Sequence, residues 1–143
     1  ARQAKGGGGA GAGLAAQRRS ASQEAAILEA WNEFGRLLTV GSPTVRTYFA
    51  FHRAIGAATN NPFYIEVLDS LGSRTIPCDI ASPWGTESVL TYEYQAGLHE
   101  EHRKILKAIS AQDAGAAREA MREHLSRSQD RYSRRLADQS TNN

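Results

Sequence analysis

The stretch SASQEAAILEAWNEFGRLLTVG, residues 20–41, decides the fold class. Ser20 and Gln23 stand at capping-box spacing, in which the serine hydroxyl accepts from a first-turn amide and the glutamine side chain answers the cap's own N–H. Behind that start, Ile27, Trp31, Phe34 and Leu38 recur at intervals of four, three and four, drawing one apolar stripe along a helix over residues 22–39. Gly41 closes it. Working outward, a short helical element around residues 14–18 leads into this one. Ser42 and Pro43 offer an N-cap and a first-turn proline for a helix reaching Ala58, with Val45, Phe49, His52 and Ile55 as its inward stripe. Asn60-Asn61-Pro62 repeats the signal for a helix through Phe63, Val67, Leu68 and Leu71. Pro77 and Pro83 then interrupt the chain, and residues 78–88 read as a loop long enough to be a pocket lid. A helix over residues 89–110, with Leu98, His102, Ile105 and Ile109 on one face, precedes a last one over residues 113–136 that turns Ala117, Met121, His124 and Leu125 inward. No stretch sustains the period-two alternation of a strand, so the sequence predicts an all-α, antiparallel bundle of about six helices.

Length and composition narrow the classes further. With 143 residues and 41% apolar side chains, the chain can furnish one core and one domain. Seventeen Lys and Arg face 15 Asp and Glu, a formal charge of +2, which gives no electrostatic case for direct binding to nucleic acid or an anionic membrane. Cys78 is the single cysteine, so neither an internal disulfide nor a multi-cysteine zinc module can form, and a cytoplasmic setting is the default. No apolar run approaches the roughly 18 residues of a membrane span, and no signal-peptide layout opens the chain. Gly6 to Gly9, Gly11 and Gly13 crowd the start, each costing about 1 kcal/mol in a helix relative to alanine. Residues 1–13 are therefore expected to be a flexible or degenerate segment, residues 14–138 the folded domain, and residues 139–143 a disordered tail.

Three of the four histidines, His52, His102 and His124, fall on the apolar faces of three different helices. A bundle can bring them together, and neutral imidazoles are good ligands for zinc, nickel and related divalent ions. The spacing is equally compatible with three separately hydrogen-bonded core histidines.

Two segments go further. Phe51-His52-Arg53-Ala54-Ile55 is followed by Asn60-Asn61-Pro62, and Glu101-His102-Arg103-Lys104-Ile105 by Ala108-Ile109, Asp113, Ala116-Ala117, Met121 and His124-Leu125, with 50 residues from His52 to His102 and 22 from His102 to His124. From about Leu14 to Leu125 the chain thereby resembles the FadR C-terminal (FCD) effector-binding domain of GntR-family transcriptional regulators. The resemblance implies a dimeric helical bundle whose central cavity holds a divalent metal, zinc or nickel, on His52, His102 and His124, and binds a small organic-acid effector. It also implies DNA contact only through a winged helix-turn-helix domain, for which no recognition helix can be fitted in this chain. Two positions depart from the family pattern. Tyr48 stands four residues before His52, where the family usually carries an aspartate, and a neutral phenol with a reference pKa near 10 is a far poorer ligand than a carboxylate. The site is then expected to bind metal weakly with an open position, to use Tyr48 to hydrogen-bond an effector, or to hold no metal, with aromatic packing as the plainer reading of Tyr48. The second departure is the glycine run, which replaces the arginine and glutamate of the family's opening helix.

Arg74 matches a position where the family often turns an arginine into the cavity, and its planar fork suits a carboxylate, although a solvated arginine at a helix end would look the same. His99, three residues before His102, and Trp84, between Pro83 and Gly85, complete the candidate effector set, against the simpler readings of a surface histidine and a loop anchor. Arg53, Arg103 and the run Arg122, Arg127, Arg131, Arg134 and Arg135 read as solvated faces. The function expected is a ligand sensor in which an effector favours one dimer geometry, with no catalysis. The alternative is a small metal-dependent hydrolase on the three histidines, which would need a general base; Glu100 and Glu101 are placed off the face of His102.

Overall fold

The computed structural model describes residues 2–71 and 91–141 and contains α1 (Arg2–Arg18), α2 (Ala21–Thr39), α3 (Val45–Ala58), α4 (Pro62–Leu71), α5 (Tyr92–Ser110) and α6 (Ala114–Thr141), with no strand among the described residues. The termini follow local chemistry. Ser20 and Gln23 form the complete capping box at the start of α2, and Gly41 takes φ +72° just beyond its end. Asn61 and Pro62 open α4, the Asn61 side chain accepting from the Phe63 amide. Thr91 caps α5 by accepting from the Tyr94 amide, and Asp113 accepts from the Ala116 amide at the head of α6.

Neighbouring contacts fix the directions. Arg19 reaches the carbonyls of Ile109 and Ser110, while Trp31 donates to the carbonyl of His99, so α2 runs antiparallel to α5. His102 meets His124 across a short turn, making α5 and α6 a helical hairpin. Thr44 donates to Gln95 and Tyr48 packs on His102, so α3 lies parallel to α5. Two groups of buried side chains result, one around Ile27, Phe51, Ile55, Ile105, Ile109 and Met121, and one of Phe34, Leu38, Tyr48 and Leu98. No helix among the described residues is long and apolar enough to cross a membrane.

Several expectations need correction. Residues 2–18, the glycine run included, form one helix, which from Gly9 onward packs antiparallel along α6. Helix propensity treats each residue alone, whereas here the missing side chains let two backbones touch. A Cβ on Gly9 would stand 2.6 Å from the Arg118 carbonyl oxygen, and one on Gly13 would stand 3.3 Å from that of Ala114. Ser42 and Pro43 precede α3 instead of opening it, and Thr44, whose hydroxyl is committed to Gln95, occupies the cap position. The buried stripe of α3 is Tyr48, Phe51 and Ile55, with Val45, Phe49 and His52 at its flanks, because Phe51 is the residue that stacks on α5. On α4, Phe63 and Val67 are exposed; Tyr64 and Leu68 face the body, against Gly11 and Gly56. Leu125 is also exposed, at the edge of α6.

One substitution made at two helical glycines should therefore act in opposite senses. Gly9→Ala should lower stability by about 1–3 kcal/mol, because backbone must move to admit the methyl group. Gly97→Ala, with open space around its Cβ, should raise it by about 0.5–1 kcal/mol through helix propensity alone. Urea denaturation of the two variants checks the pair, and equal signs would contradict the close α1–α6 contact.

Candidate metal centre

Three helices deliver the site. On α3, Tyr48 and His52 are one turn apart and share a face. Glu101 and His102 are adjacent on α5, and α6 supplies His124 and, two turns later, Arg131. Flat stacking on Phe51, at 4.3 Å between ring centroids and 7° between planes, orients the His102 ring, while Phe34 meets its edge and Tyr48 lies 4.9 Å away. His102 and His124 are fully enclosed. His52 keeps some exposed surface, yet its Nε2 is sealed from solvent.

One nitrogen from each of His52, His102 and His124 lies within 4.8 Å of the other two. His124 Nε2 is 3.3 Å from His102 Nε2 and 3.1 Å from the Tyr48 hydroxyl. Its other nitrogen, Nδ1, donates to Glu101 at 2.7 Å, and Arg131 grips both oxygens of that carboxylate, at 3.0 and 3.1 Å. Arg131 also lies over the Tyr94 ring, 5.1 Å from its centroid. Glu101 and Arg131 were not among the residues assigned from sequence, where Glu101 was placed off the His102 face and Arg131 on a solvated one. The available signal was spacing: Arg131 follows His124 by seven residues, hence on the same side of α6, but that Glu101 lies opposite His124 depends on the register of two antiparallel helices.

Electrostatics keep the cluster ready for a cation. Burial, reinforced by the nearby His124, holds His52 down at about 3, and burial with the surrounding histidines pushes His102 well below its ordinary value. For Glu101, burial raises the carboxyl, but the hydrogen bonds from His124 and Arg131 and the arginine charge outweigh it and bring the group to about 2. His52 and His102 are thus neutral near pH 7, the form that ligates metals. A proton held on His124 Nδ1 for Glu101 leaves Nε2 with its lone pair facing inward.

The donor set fits a metal. His52 Nε2 is buried with no hydrogen-bond partner among the described residues. Two ring nitrogens 3.3 Å apart need a proton or a cation between them, and four-coordinate zinc with bonds of about 2.0–2.1 Å sets neighbouring nitrogens about 3.3 Å apart. A carboxylate behind one ligating imidazole is the usual arrangement for fixing its tautomer and orientation.

The other candidates are distributed differently. His99 stacks on Trp31 at 4.2 Å and Phe34 at 5.2 Å, both on α2, with its ring against Gly35, and is not one of the three histidines whose nitrogens converge. Tyr48, 6% exposed, lies within the cluster. Arg74 and Trp84, like the rest of the expected lid at residues 78–88, lie outside the described residues. Arg53 pairs with Asp69 and Arg103 with Glu100 on the surface.

A pH dependence follows for the metal-free protein. Above about pH 6.5 folded and unfolded states both hold His52 and His102 neutral; below it only the unfolded state takes up the protons. Stability should fall as pH drops below about 6.5, by about 1.4 kcal/mol per pH unit for His52 down to its folded value of about 3, with a further loss of the same sign from His102. Glu101 adds a loss of its own between 4.5 and about 2. Urea titrations in chelator between about pH 7.5 and about pH 5 measure the slope, and a flat midpoint would show that the rings are not buried together.

Compared with known families, residues 8–127 match the one described as FCD domain. The match begins within α1, so the opening helix is present despite its glycines. Among characterised proteins, the chain is 28% identical over 122 residues, 83% of its length, to the HTH-type transcriptional regulator LutR of Bacillus subtilis (strain 168). It spans about half of that relative, 54% of its length. With a match covering most of its length, and a helical bundle around the expected histidines, the chain belongs to the FCD domain family.

Proposed function

We propose that this chain is the effector-binding and dimerisation domain of a GntR-type transcriptional regulator, taking a small organic acid at a divalent metal, zinc or nickel, on His52, His102 and His124. The observation that carries this is the convergence of three imidazoles from three helices, one of them backed by Glu101 and Arg131. Bound there, the metal would supply a Lewis-acid position for a carboxylate. The chain's own part is to hold His52 and His102 neutral, to orient His124 through Glu101, and to surround the rings with aromatic side chains that strengthen any charge–charge contact. Arg74 and Trp84 are proposed to contact the effector from the segment between α4 and α5, and His99 to border it from α5.

Such a site joins α3, α5 and α6, so a ligand that draws them together favours one packing of the bundle over another. In a dimer this would set the separation of attached DNA-binding domains, a population shift by differential affinity. The relative's name, a helix-turn-helix regulator, supports DNA contact through a domain outside these residues. A hydrolase on the same three histidines would need a free general base. Among the described residues, the carboxylate that touches them, Glu101, is held by Arg131 through both oxygens and by His124, which argues against that role.

Metal analysis of the protein as purified, followed by zinc and nickel titration, should give about one ion per chain. Replacing His52 by alanine should weaken binding by on the order of 100-fold or more, and Glu101→Gln by about 10–100-fold, as for losing the partner of a ligating imidazole. With metal bound, members of a panel of small carboxylic acids should raise the melting temperature; without it they should not. Lack of stoichiometric metal in both experiments would remove the metal from this reading, and turnover of a small ester or amide lost on His52→Ala would replace it with the hydrolase.

A further inference from the structure

Three neutral imidazoles alone place no negative charge around a buried dication. Glu101 carries one, but it touches His124 from the far side of the ring and is neutralised by Arg131. Among the described residues, another oxygen that reaches the cluster is the phenol of Tyr48, one helical turn before His52, 6% exposed and 3.1 Å from His124 Nε2. That separation and the 3.3 Å between His124 and His102 are both close to the about 3.3 Å expected between neighbouring donors of one four-coordinate ion. The hydroxyl and the His102 nitrogen thus stand at donor spacing from His124, and the His52 nitrogen lies within 4.8 Å of the other two.

From this we infer that Tyr48 is an oxygen ligand of the cation, bound as phenolate, and that the centre is a three-imidazole, one-phenolate site. This rests on the proposed metal reading and goes beyond it in the fourth ligand. In the binding step the phenol O–H bond breaks, its proton leaves to solvent, and the oxygen's electron pair forms the bond to the metal. The ion's own charge makes the ionisation favourable where the free phenol would stay protonated. Cupric ion accepts mixed nitrogen and oxygen donors and can therefore serve as a probe of the phenolate. Among the described residues, Tyr48 would bring a negative charge directly to the metal.

The test is titration of the intact chain with cupric ion, read by visible absorption, alongside zinc, read by the ultraviolet difference spectrum of tyrosinate. The wild-type protein should develop a phenolate-to-copper charge-transfer band that saturates at one equivalent per chain, and zinc should produce a tyrosinate signal at the same stoichiometry. Tyr48→Phe, which keeps the ring, should still bind copper through the imidazoles, at least tenfold more weakly and without the band. Tyr48→Asp, which offers a carboxylate instead, should bind without the band as well. One equivalent of copper bound by the wild type without the band, or a band that survives Tyr48→Phe, overturns the phenolate ligand while leaving the three-histidine site intact. Failure of any ion to saturate at one equivalent, with no change on His52→Ala, overturns the metal reading and this inference together.

Discussion

A carboxylate can stay ionised within a helical core only where donors answer both of its oxygens, and Glu101 meets that condition. Arg131 holds both oxygens, and His124 donates to one of them. Because the partners sit on α6 and the carboxylate on α5, this group sets the register of the hairpin, the face of α6 that turns inward and the tautomer of His124. Satisfying one buried anion thus decides where the third imidazole points. Phe51, stacked flat on His102, does the equivalent for the second, tying it to α3.

Helical periodicity made much of this visible before any coordinates. Ser20, Gln23 and the stripe from Ile27 to Leu38 follow local rules, and they were read as they stand. His52, His102 and His124 were legible as a group because each occupied or flanked an inward stripe. What escaped was set by packing between helices. The glycines of α1 look like helix breakers one at a time, yet opposite Arg118 and Ala114 they allow a backbone approach that a side chain would prevent. On α4, Leu68 was named among the apolar residues but Tyr64 was not, and it is these two that face the body, against Gly56 and Gly11. Glu101 was hidden for the same reason, since on its own helix it lies beside the His102 face and gains meaning only opposite α6.

On the proposed reading, a site shared by α3, α5 and α6 would link ligand occupancy to helix packing. Removing whatever joins the imidazoles leaves buried nitrogens without partners, His52 Nε2 among them, so the bundle has reason to relax when the site is empty. The closeness of α1 to α6 and the paired capping of α2, by contrast, belong to a frame that does not depend on the site. On the proposed reading, a change of packing among α3, α5 and α6 would pass a local binding event to a distant partner.

The central claim, three imidazoles on one metal ion, is most directly tested by anomalous diffraction at the zinc edge from crystals grown with zinc. One strong peak per chain, within bonding distance of the Nε2 atoms of His52, His102 and His124, is the predicted result. A map with no peak among those rings, or with zinc held only by surface groups, would contradict it.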